Sequence, residues 1–202
     1  RVVDPRGRAL LVSARGDADL EVTATVAFAT GQLKDPGAVA WLGDRLSARE
    51  TPPAIAREAA CALGKIRSPE ARAALARYLT GAPATSASAP VVGEALLALG
   101  RFTTPKDMPR EDIAPIVRWT TSKDAEIRWR AAWALFRPRD PAAVPTLLAL
   151  ADDKSGDVRF WAVRGLTPAV VDGSSVDRAR ASATLRDAVR DPDRRVRTEA
   201  LR

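Results

Sequence analysis

The stretch "DAEIRWRAAWALFRPRDP", from Asp124 to Pro141, interleaves Trp and Arg with small apolar residues at helical spacing. Ile127, Ala131 and Leu135 follow one another at intervals of four residues, which places their side chains on one face of a helix. An Asp before such a face is typical of an N-cap, and a Pro beyond it is typical of the first turn of a following helix. The stretch therefore predicts one capped helix that ends before Pro141.

The same pattern recurs along the whole chain, which indicates internal repeats. A β-branched aliphatic residue begins each copy, and a small residue or Val follows four positions later. A column of small residues beside a column of Leu allows neighbouring helices to approach closely and interlock. The copies recur at intervals of 31 to 38 residues, a spacing typical of helical-repeat proteins. They begin at Val22, Ile55, Val91, Ile127, Val158 and Val196.

Glycines, prolines and capping residues mark the ends of the copies. We expect three glycines to end their helices in the left-handed conformation, with a Pro five positions beyond each to begin the next helix. These pairs are Gly31 with Pro36, Gly64 with Pro69 and Gly100 with Pro105, and Pro141 keeps the same offset from Phe136. The expected N-caps are Asp19, Thr51, Ser88, Asp124, Ser155 and Asp193.

A second, shorter helical pattern follows each Pro, so the chain alternates a longer helix A with a shorter helix B. This alternation predicts an all-α solenoid of about five to six stacked antiparallel helix pairs. We interpret residues 1–202 as a single repeat domain and, because the chain begins with Arg1 and ends within a helical pattern, as an excerpt of a longer chain. The units lie near 1–18 (partial), 19–50, 51–87, 88–123, 124–154, 155–192 and 193–202 (partial).

Two stretches enlarge the turns between helices. "TGAPATSASAP", from Thr80 to Pro90, consists of small residues that we do not expect in the core, and it is either a tolerated insertion or a partner-binding loop. "FTTPKDMPRED", at 102–112, is expected to form an enlarged turn between a helix A and its helix B.

The copies resemble HEAT-like repeats, especially the short bacterial kind that is also found in phycobilin-lyase-like proteins. "DAEIRWRAAWALFRPRDP" and "CALGKIRSPEARAALARYL" carry the resemblance best, through the acidic cap, the Val/Ile-Arg start, the Ala-Leu-Gly end and the Asp-Pro or Ser-Pro turn. The resemblance covers nearly the whole chain, and the fifth copy departs from it by inserting "TPAVVDGSS". It implies a non-catalytic scaffold that binds another protein on a concave face lined by the B helices.

The composition argues against a catalytic centre. The chain has no His and a single Cys, so the commonest general base, the commonest transition-metal ligand and an internal disulfide are excluded. We expect no cofactor, no metal and no enzymatic activity in this chain. The adjacent Asp152 and Asp153 are interpreted as the end of a helix. With no stretch of about eighteen apolar residues, the sequence also predicts no membrane span.

An arginine follows the first aliphatic residue of helix A in three consecutive copies, at Arg128, Arg159 and Arg197. Stacking of the copies is expected to align these side chains into a ladder. The family resemblance implies that each Arg pairs with an acid of the adjacent unit. The candidate partners are Asp124, Asp157 and Asp193.

Seven residues are candidates for contacts with a partner. Arg77, Tyr78, Arg118 and Trp119 lie on B-helix patterns, where the predicted binding face is located. Trp119 has an alternative interpretation as a residue that packs between units. Trp129, Arg130 and Arg137 belong to the opening stretch and are not explained by the repeat. Trp129 is either packed against the next unit or exposed for contact.

Two other function classes stay open. Lys and Arg outnumber Asp and Glu by 32 to 25, which gives a formal net charge of +7, so binding of nucleic acid is an alternative. The arginines between Arg178 and Arg195 contribute to this excess, although the stretch "DRARASATLRDAVRDPDRRVR" also contains four Asp. Similar repeats are also found joined to cyclophilin-type peptidyl-prolyl isomerase domains or acting as lyases on bilin chromophores, so the chain is alternatively the accessory region of an enzyme.

Overall fold

The structure is a computed structural model that describes residues 5–103, 113–176 and 178–202. These residues form α-helices and short 3-10 turns, with no β-strand among them. The helices are α1 (Pro5–Ser13), α2 (Leu20–Gln32), α3 (Val39–Ser47), α4 (Pro53–Ile66), α5 (Pro69–Gly81), α6 (Ala89–Leu99), α7 (Ile113–Val117), α8 (Ala125–Phe136), α9 (Val144–Leu150), α10 (Gly156–Gly165), α11 (Pro168–Asp172), α12 (Arg178–Ala188) and α13 (Arg194–Ala200).

The helices alternate as the repeat pattern predicts. Helices α2, α4, α6, α8, α10 and α13 are A helices, and α1, α3, α5, α7, α9 and α12 are B helices. The short helix α11 lies within the inserted "TPAVVDGSS" stretch. Pro36, Pro69 and Pro141 begin a 3-10 turn or helix as expected, whereas Pro105 and most of the predicted turn at 102–112 lie outside the described residues.

The chain forms two compact units, Arg1–Arg101 and Phe102–Arg202. Each unit buries its own core of small and branched aliphatic side chains. Residues of the predicted columns of small residues and Leu lie at the centre of these cores, and nine of them are at most 1% exposed. These residues are Ala59, Ala62, Leu63, Ala95, Ala98 and Leu99 in the first unit and Ala131, Ala134 and Leu135 in the second.

Three of the predicted N-caps are aspartates that bind the first turn of their helices. One carboxylate oxygen each of Asp19, Asp124 and Asp193 accepts a hydrogen bond from the backbone N–H two residues later, at 2.7, 2.9 and 2.8 Å. Such a bond satisfies a helix N–H that has no partner within the helix. The prediction is confirmed at these three positions.

The Ser and Thr positions behave differently. Ser88 and Ser155 precede their helices, but neither side chain donates or accepts a capping bond. The Ser88 hydroxyl bonds instead to the carbonyl groups of Pro83 and Thr85 within the preceding loop. Thr51 was predicted wrongly, because Pro52 is the residue that precedes α4.

Gly31 and Gly64 are required for close helix packing, not for a left-handed helix end. Both lie within their helices. A Cβ added to Gly31 would lie 2.6 Å from the Cα of Ala62 on α4, and one added to Gly64 would lie 2.7 Å from the Cα of Ala98 on α6. Real Cβ atoms do not approach other atoms so closely, so these positions let consecutive A helices meet backbone to backbone.

The left-handed conformation occurs three residues after the position that we predicted. No described Gly has a positive φ, and Gly100 ends α6 with φ −65°. Lys34, Arg67 and Arg139 have φ of 50°, 58° and 55°. The prediction of left-handed glycine caps was therefore wrong. Gly31 and Gly64 are needed where the neighbouring helix approaches closely, and the left-handed turn is formed by a Lys or Arg three residues later.

We expect Gly64→Ala to destabilise the fold by about 1–3 kcal/mol, because the added methyl group forces α4 and α6 apart. Gly43→Ala is the matched control. It lies in the interior of α3, where an added Cβ makes an ordinary contact at 3.6 Å from Ala74, so the higher helix propensity of Ala is expected to stabilise the fold by up to about 1 kcal/mol. Urea unfolding followed by circular dichroism measures both, and equal stability of the two variants would contradict the packing role of Gly64.

Candidate binding surface

The predicted arginine ladder is present in the second unit. Arg128 Nε donates to Asp153 Oδ2 at 2.7 Å, and Arg128 Nη2 donates to Asp153 Oδ1 at 2.9 Å. Its Nη1 donates to the backbone carbonyl groups of Ser122 and Lys123 at 2.8 and 3.2 Å. One guanidinium therefore joins the loop before its own A helix to the loop before the next A helix.

Arg159 repeats this geometry one unit later. Its Nε and Nη2 donate to the two carboxylate oxygens of Asp191 at 2.7 and 2.8 Å, and its Nη1 donates to the carbonyl groups of Asp153 and Lys154 at 2.8 and 3.2 Å. Arg197 makes the same type of carbonyl contact, to Asp191 at 2.7 Å. The two forked pairs are shielded from solvent, since their side chains are between 9% and 15% exposed.

The acids of the ladder are not the ones that we predicted from the sequence. Asp157 and Asp193 both pair with Arg195, at 2.8 and 2.7 Å, and Asp124 caps α8. The true partners are Asp153 and Asp191, which lie two positions before the residue that precedes the next A helix. The interpretation of Asp153 as a residue that only ends a helix was wrong, because its side chain is largely buried and pairs with Arg128.

A repeated local signal identifies these acids. Oδ1 of Asp153 accepts the backbone N–H of Ser155 at 2.8 Å, and Oδ1 of Asp191 accepts that of Asp193 at 2.7 Å. Asp17 makes the same bond to the N–H of Asp19 at 2.8 Å. An Asp two positions before the N-cap residue of a helix A is thus the feature to search for in the sequence.

Hydrogen bonding keeps the ladder ionised. Burial would raise the pKa of Asp153, but hydrogen bonds from Arg128 and from the Ser155 N–H hold that pKa below its ordinary value. Hydrogen bonds from Arg159 likewise lower the pKa of Asp191. In return, the bonded carboxylates raise the pKa of both guanidinium groups. Each pair is therefore a full ion pair at neutral pH.

In the first unit, Ala56 occupies the sequence position that Arg128 and Arg159 occupy in the second. A cavity of about 630 Å³ lies there, between the loop before α4 and the loop before α6. These are the two kinds of loop that a ladder arginine joins. The lining is Leu46, Ser47, Ala48, Arg49, Thr51, Pro53, Ala56, Arg77, Tyr78, Gly81, Ala82, Pro83, Thr85, Ala87, Ser88 and Val91. We call it the loop cavity.

A second cavity of about 830 Å³ lies along the B helices α3 and α5. It shares Ser47 and Arg77 with the loop cavity, so the two are adjacent. Asp44 and Glu70 give it a negative side. Hydrogen bonds with its own backbone and with Ser68 lower the pKa of Glu70, which is negatively charged at neutral pH. We call this the B-helix cavity.

The predicted binding residues on the B helices fall into two groups. Arg77 is exposed and Tyr78 is half-buried, and both line the loop cavity. Arg118 is exposed at the start of a 3-10 turn that follows α7, with its guanidinium 4.9 Å from the ring centre of Trp119. Trp119 is 4% exposed, so it is a core residue and is not available as a surface contact.

The remaining candidates on α8 are engaged within the helix. The Arg130 guanidinium lies 4.8 Å from the ring centre of Trp129 and pairs with Glu126 at 3.2 Å. Arg137, which follows α8, lies 5.4 Å from the ring centre of Trp133. All of these rings are half-buried. The interleaved cations and aromatic rings of the opening stretch thus form cation–π pairs along one helix.

The aromatic cluster around Arg164 was not predicted. The guanidinium of Arg164 lies 5.5 to 5.8 Å from the ring centres of Phe136, Phe160 and Trp161, and its Nη1 pairs with Glu199 at 3.0 Å. Phe160 and Trp161 lie one helical turn before Arg164 on α10, whereas Phe136 and Glu199 come from other A helices and could not be assigned to the cluster from spacing within one copy. The cluster joins α8, α10 and α13 on one side of the second unit.

Neither a metal site nor a membrane span is found in the part of the chain that the structure describes. There, no three or more Cys, Asp and Glu side chains are grouped so that they could hold a metal ion. No described helix has the length and hydrophobicity to cross a bilayer.

We expect Asp191→Asn to lower the free energy of unfolding by about 1–2 kcal/mol at pH 7, because a charged hydrogen-bonded pair is lost. Since folding lowers the pKa of Asp191, the stabilisation is complete above the ordinary carboxyl pKa of about 4 and is lost as pH falls through the lower pKa of the folded state. The difference between variant and wild type should therefore shrink below about pH 4. Urea unfolding at pH 7, 4 and 3 tests this, with the exposed Asp187→Asn as control; a difference that is independent of pH would contradict it.

The comparisons with known proteins agree with this architecture. The family model for HEAT repeats matches residues 8–89 and 84–167, and no curated protein matches the chain. An archaeal HEAT-like repeats protein from Thermococcus onnurineus is similar in structure, with a TM-score of 0.69 and 13% identity over 98% of this chain and 85% of that chain. Computationally designed armadillo repeat proteins for modular peptide recognition are also similar, with a TM-score of 0.65 and 15% identity over 95% of this chain and 96% of that chain.

The complex of CpcE and CpcF of phycocyanin lyase from a Nostoc species is also similar, with a TM-score of 0.62 and 18% identity over 96% of this chain and 74% of that chain. At these identities the likeness concerns the fold, which is an all-α solenoid in all three proteins. Together with the matched repeats, it confirms the resemblance that the sequence motifs indicated. The chain belongs to the HEAT-repeat family.

Proposed function

We propose that this chain is a non-catalytic interaction scaffold that binds an extended segment of a partner protein on the B-helix side of the first unit. The observation that carries the proposal is the pair of adjacent cavities that share Ser47 and Arg77. Together they run from the loops before α4 and α6 onto the surface of α3 and α5. Such a concave, partly apolar surface with a few charged groups is the usual form of a binding site.

The similar folds support this assignment. The designed armadillo repeat proteins are described as made for modular peptide recognition, and CpcE and CpcF form a complex with each other. An array of helix pairs presents a long surface on its B helices, which suits an extended polypeptide. Arg77 and Tyr78 then contact the bound segment directly, whereas Arg118 is a candidate for a separate contact in the second unit.

Nucleic-acid binding is the second candidate, favoured by the exposed arginines on and around α12. These are Arg178, Arg180, Arg186, Arg190 and Arg194. The ion pairs of the second unit weigh against it, because Arg128, Arg159 and Arg195 are already bonded to carboxylates. These three arginines are therefore less available to phosphates than arginines without a bonded carboxylate.

We expect Ala56→Arg to weaken peptide binding, because the arginine that the repeat carries in the second unit would fill the loop cavity. Peptides are first selected from a random display library on the intact chain, and their affinities are then measured by fluorescence polarisation. The expected loss is at least about tenfold, as for removal of a central contact. Ser47→Arg, at an exposed residue that lines both cavities, is the second variant, and it is expected to weaken the same peptides.

Ala54→Arg is the matched control, because Ala54 is exposed on the same helix and outside both cavities. It should leave affinity unchanged. Peptides that bind Ala56→Arg and Ser47→Arg as well as the wild type would refute a site in the first unit. Binding of a labelled DNA duplex at 50 mM salt that is lost in Arg186→Ala/Arg190→Ala would favour the nucleic-acid function instead.

A further inference from the structure

The loop cavity has an unbalanced charge. Its lining includes the side chains of Arg49 and Arg77 and contains no carboxylate. Within the described residues, neither of these two arginines donates a side-chain hydrogen bond or pairs with an acid. The arginines of the ladder are different, since each of their forked pairs binds an Asp of the same unit. The first unit therefore holds two guanidinium groups at one cavity with no carboxylate bonded to either of them, and Asp44 and Glu70 lie along the adjacent cavity that Arg77 also lines.

Polar groups in the cavity can complete a site for an anion. Tyr78 is half-buried, and burial raises the pKa of its hydroxyl, which is protonated at neutral pH and can donate a hydrogen bond. Thr51 also lines the cavity, although its Oγ1 is closed to solvent.

The apolar part of the cavity restricts what can carry the anion. Leu46, Ala56, Ala82 and Val91 are buried at its inner side. Small and aliphatic walls of this kind favour an aliphatic stem beside the charged group. The carboxylate of an Asp or Glu side chain in a peptide meets both requirements.

The neighbouring B-helix cavity favours a peptide over a polyanion. Asp44 and Glu70 line the B-helix cavity, together with Arg77, which also lines the loop cavity. A nucleic acid strand that crossed both cavities would bring phosphates against these two acids, which repel them. A peptide can place an acidic residue in the loop cavity and a neutral or basic residue in the B-helix cavity.

We infer that the loop cavity is a subsite for an acidic side chain of the partner, held by Arg49 and Arg77 with the hydroxyl group of Tyr78. This inference rests on the proposed function, since it names the chemistry of the segment that the scaffold binds. The guanidinium groups supply charge-assisted hydrogen bonds, and the small aliphatic residues contact the stem of the side chain. The partner's sequence therefore contains an Asp or Glu at the position that enters this cavity.

The test uses the peptides selected on the intact chain. We expect an Asp or Glu at one fixed position of the selected peptides, and replacement of that residue by Asn or Gln should weaken binding by at least about tenfold. Arg49→Ala/Arg77→Ala should cause a similar loss for the acidic peptide and almost none for its amide counterpart. Arg57→Ala/Arg180→Ala removes the same charge at exposed residues outside both cavities and should have little effect.

The outcomes separate the inference from the proposed function. Selected peptides that lose affinity in Ala56→Arg, but contain no acid and bind Arg49→Ala/Arg77→Ala normally, would overturn the acidic subsite and leave the scaffold function intact. A library that gives no peptide sensitive to Ala56→Arg or Ser47→Arg would overturn both. Competition of the selected peptide by duplex DNA, lost in Arg49→Ala/Arg77→Ala, would assign the two arginines to phosphate binding instead.

Discussion

The close approach of consecutive A helices is the constraint on which the rest of this structure depends. At Gly31 and Gly64 the neighbouring helix passes within 2.6–2.7 Å of the position of a Cβ, and the facing residues are Ala62 and Ala98. Where only Gly and Ala separate two helices, their backbones are in contact and bury a narrow face of Ala and Leu. This close contact fixes the position of one helix relative to the next. Because that position is fixed, the loops before successive A helices also lie at a fixed separation, which one side chain can bridge.

The two units use that separation in different ways. In the second unit Arg128 and Arg159 fill it, and each guanidinium is held by two backbone carbonyl groups and one carboxylate. In the first unit Ala56 leaves the same place open, as the loop cavity. The small side chain of Ala56 and the inserted loop at 80–90, which supplies much of the lining, together distinguish this place from the corresponding places in the second unit.

The sequence was sufficient to predict the order and type of the helices, because apolar periodicity and Asp or Pro at helix starts are local features. It was also sufficient to predict a ladder of Arg128 and Arg159, since the spacing repeats. The acids Asp153 and Asp191 were missed because their role depends on which loop faces the guanidinium, a tertiary property. Gly64 was misassigned for the same reason: its environment is set by Ala98, thirty-four residues away. Of the predicted binding residues, Arg77 and Tyr78 line a cavity, whereas Trp119 is buried by contacts that no local pattern encodes.

The distribution of arginines links these observations to function. A guanidinium whose Nε and Nη2 are bonded to a carboxylate and whose Nη1 is bonded to backbone carbonyl groups contributes to stability and has little capacity left for a partner. By that criterion the number of arginines in a region is a poor guide to a binding surface, because several arginines of the second unit are bonded to carboxylates. Arg49 and Arg77 differ from the ladder residues in having no carboxylate bonded to them, and the loop cavity that both line contains none. The surface for a partner is therefore better located by the arginines that the fold leaves uncompensated than by the regions where arginines are most numerous.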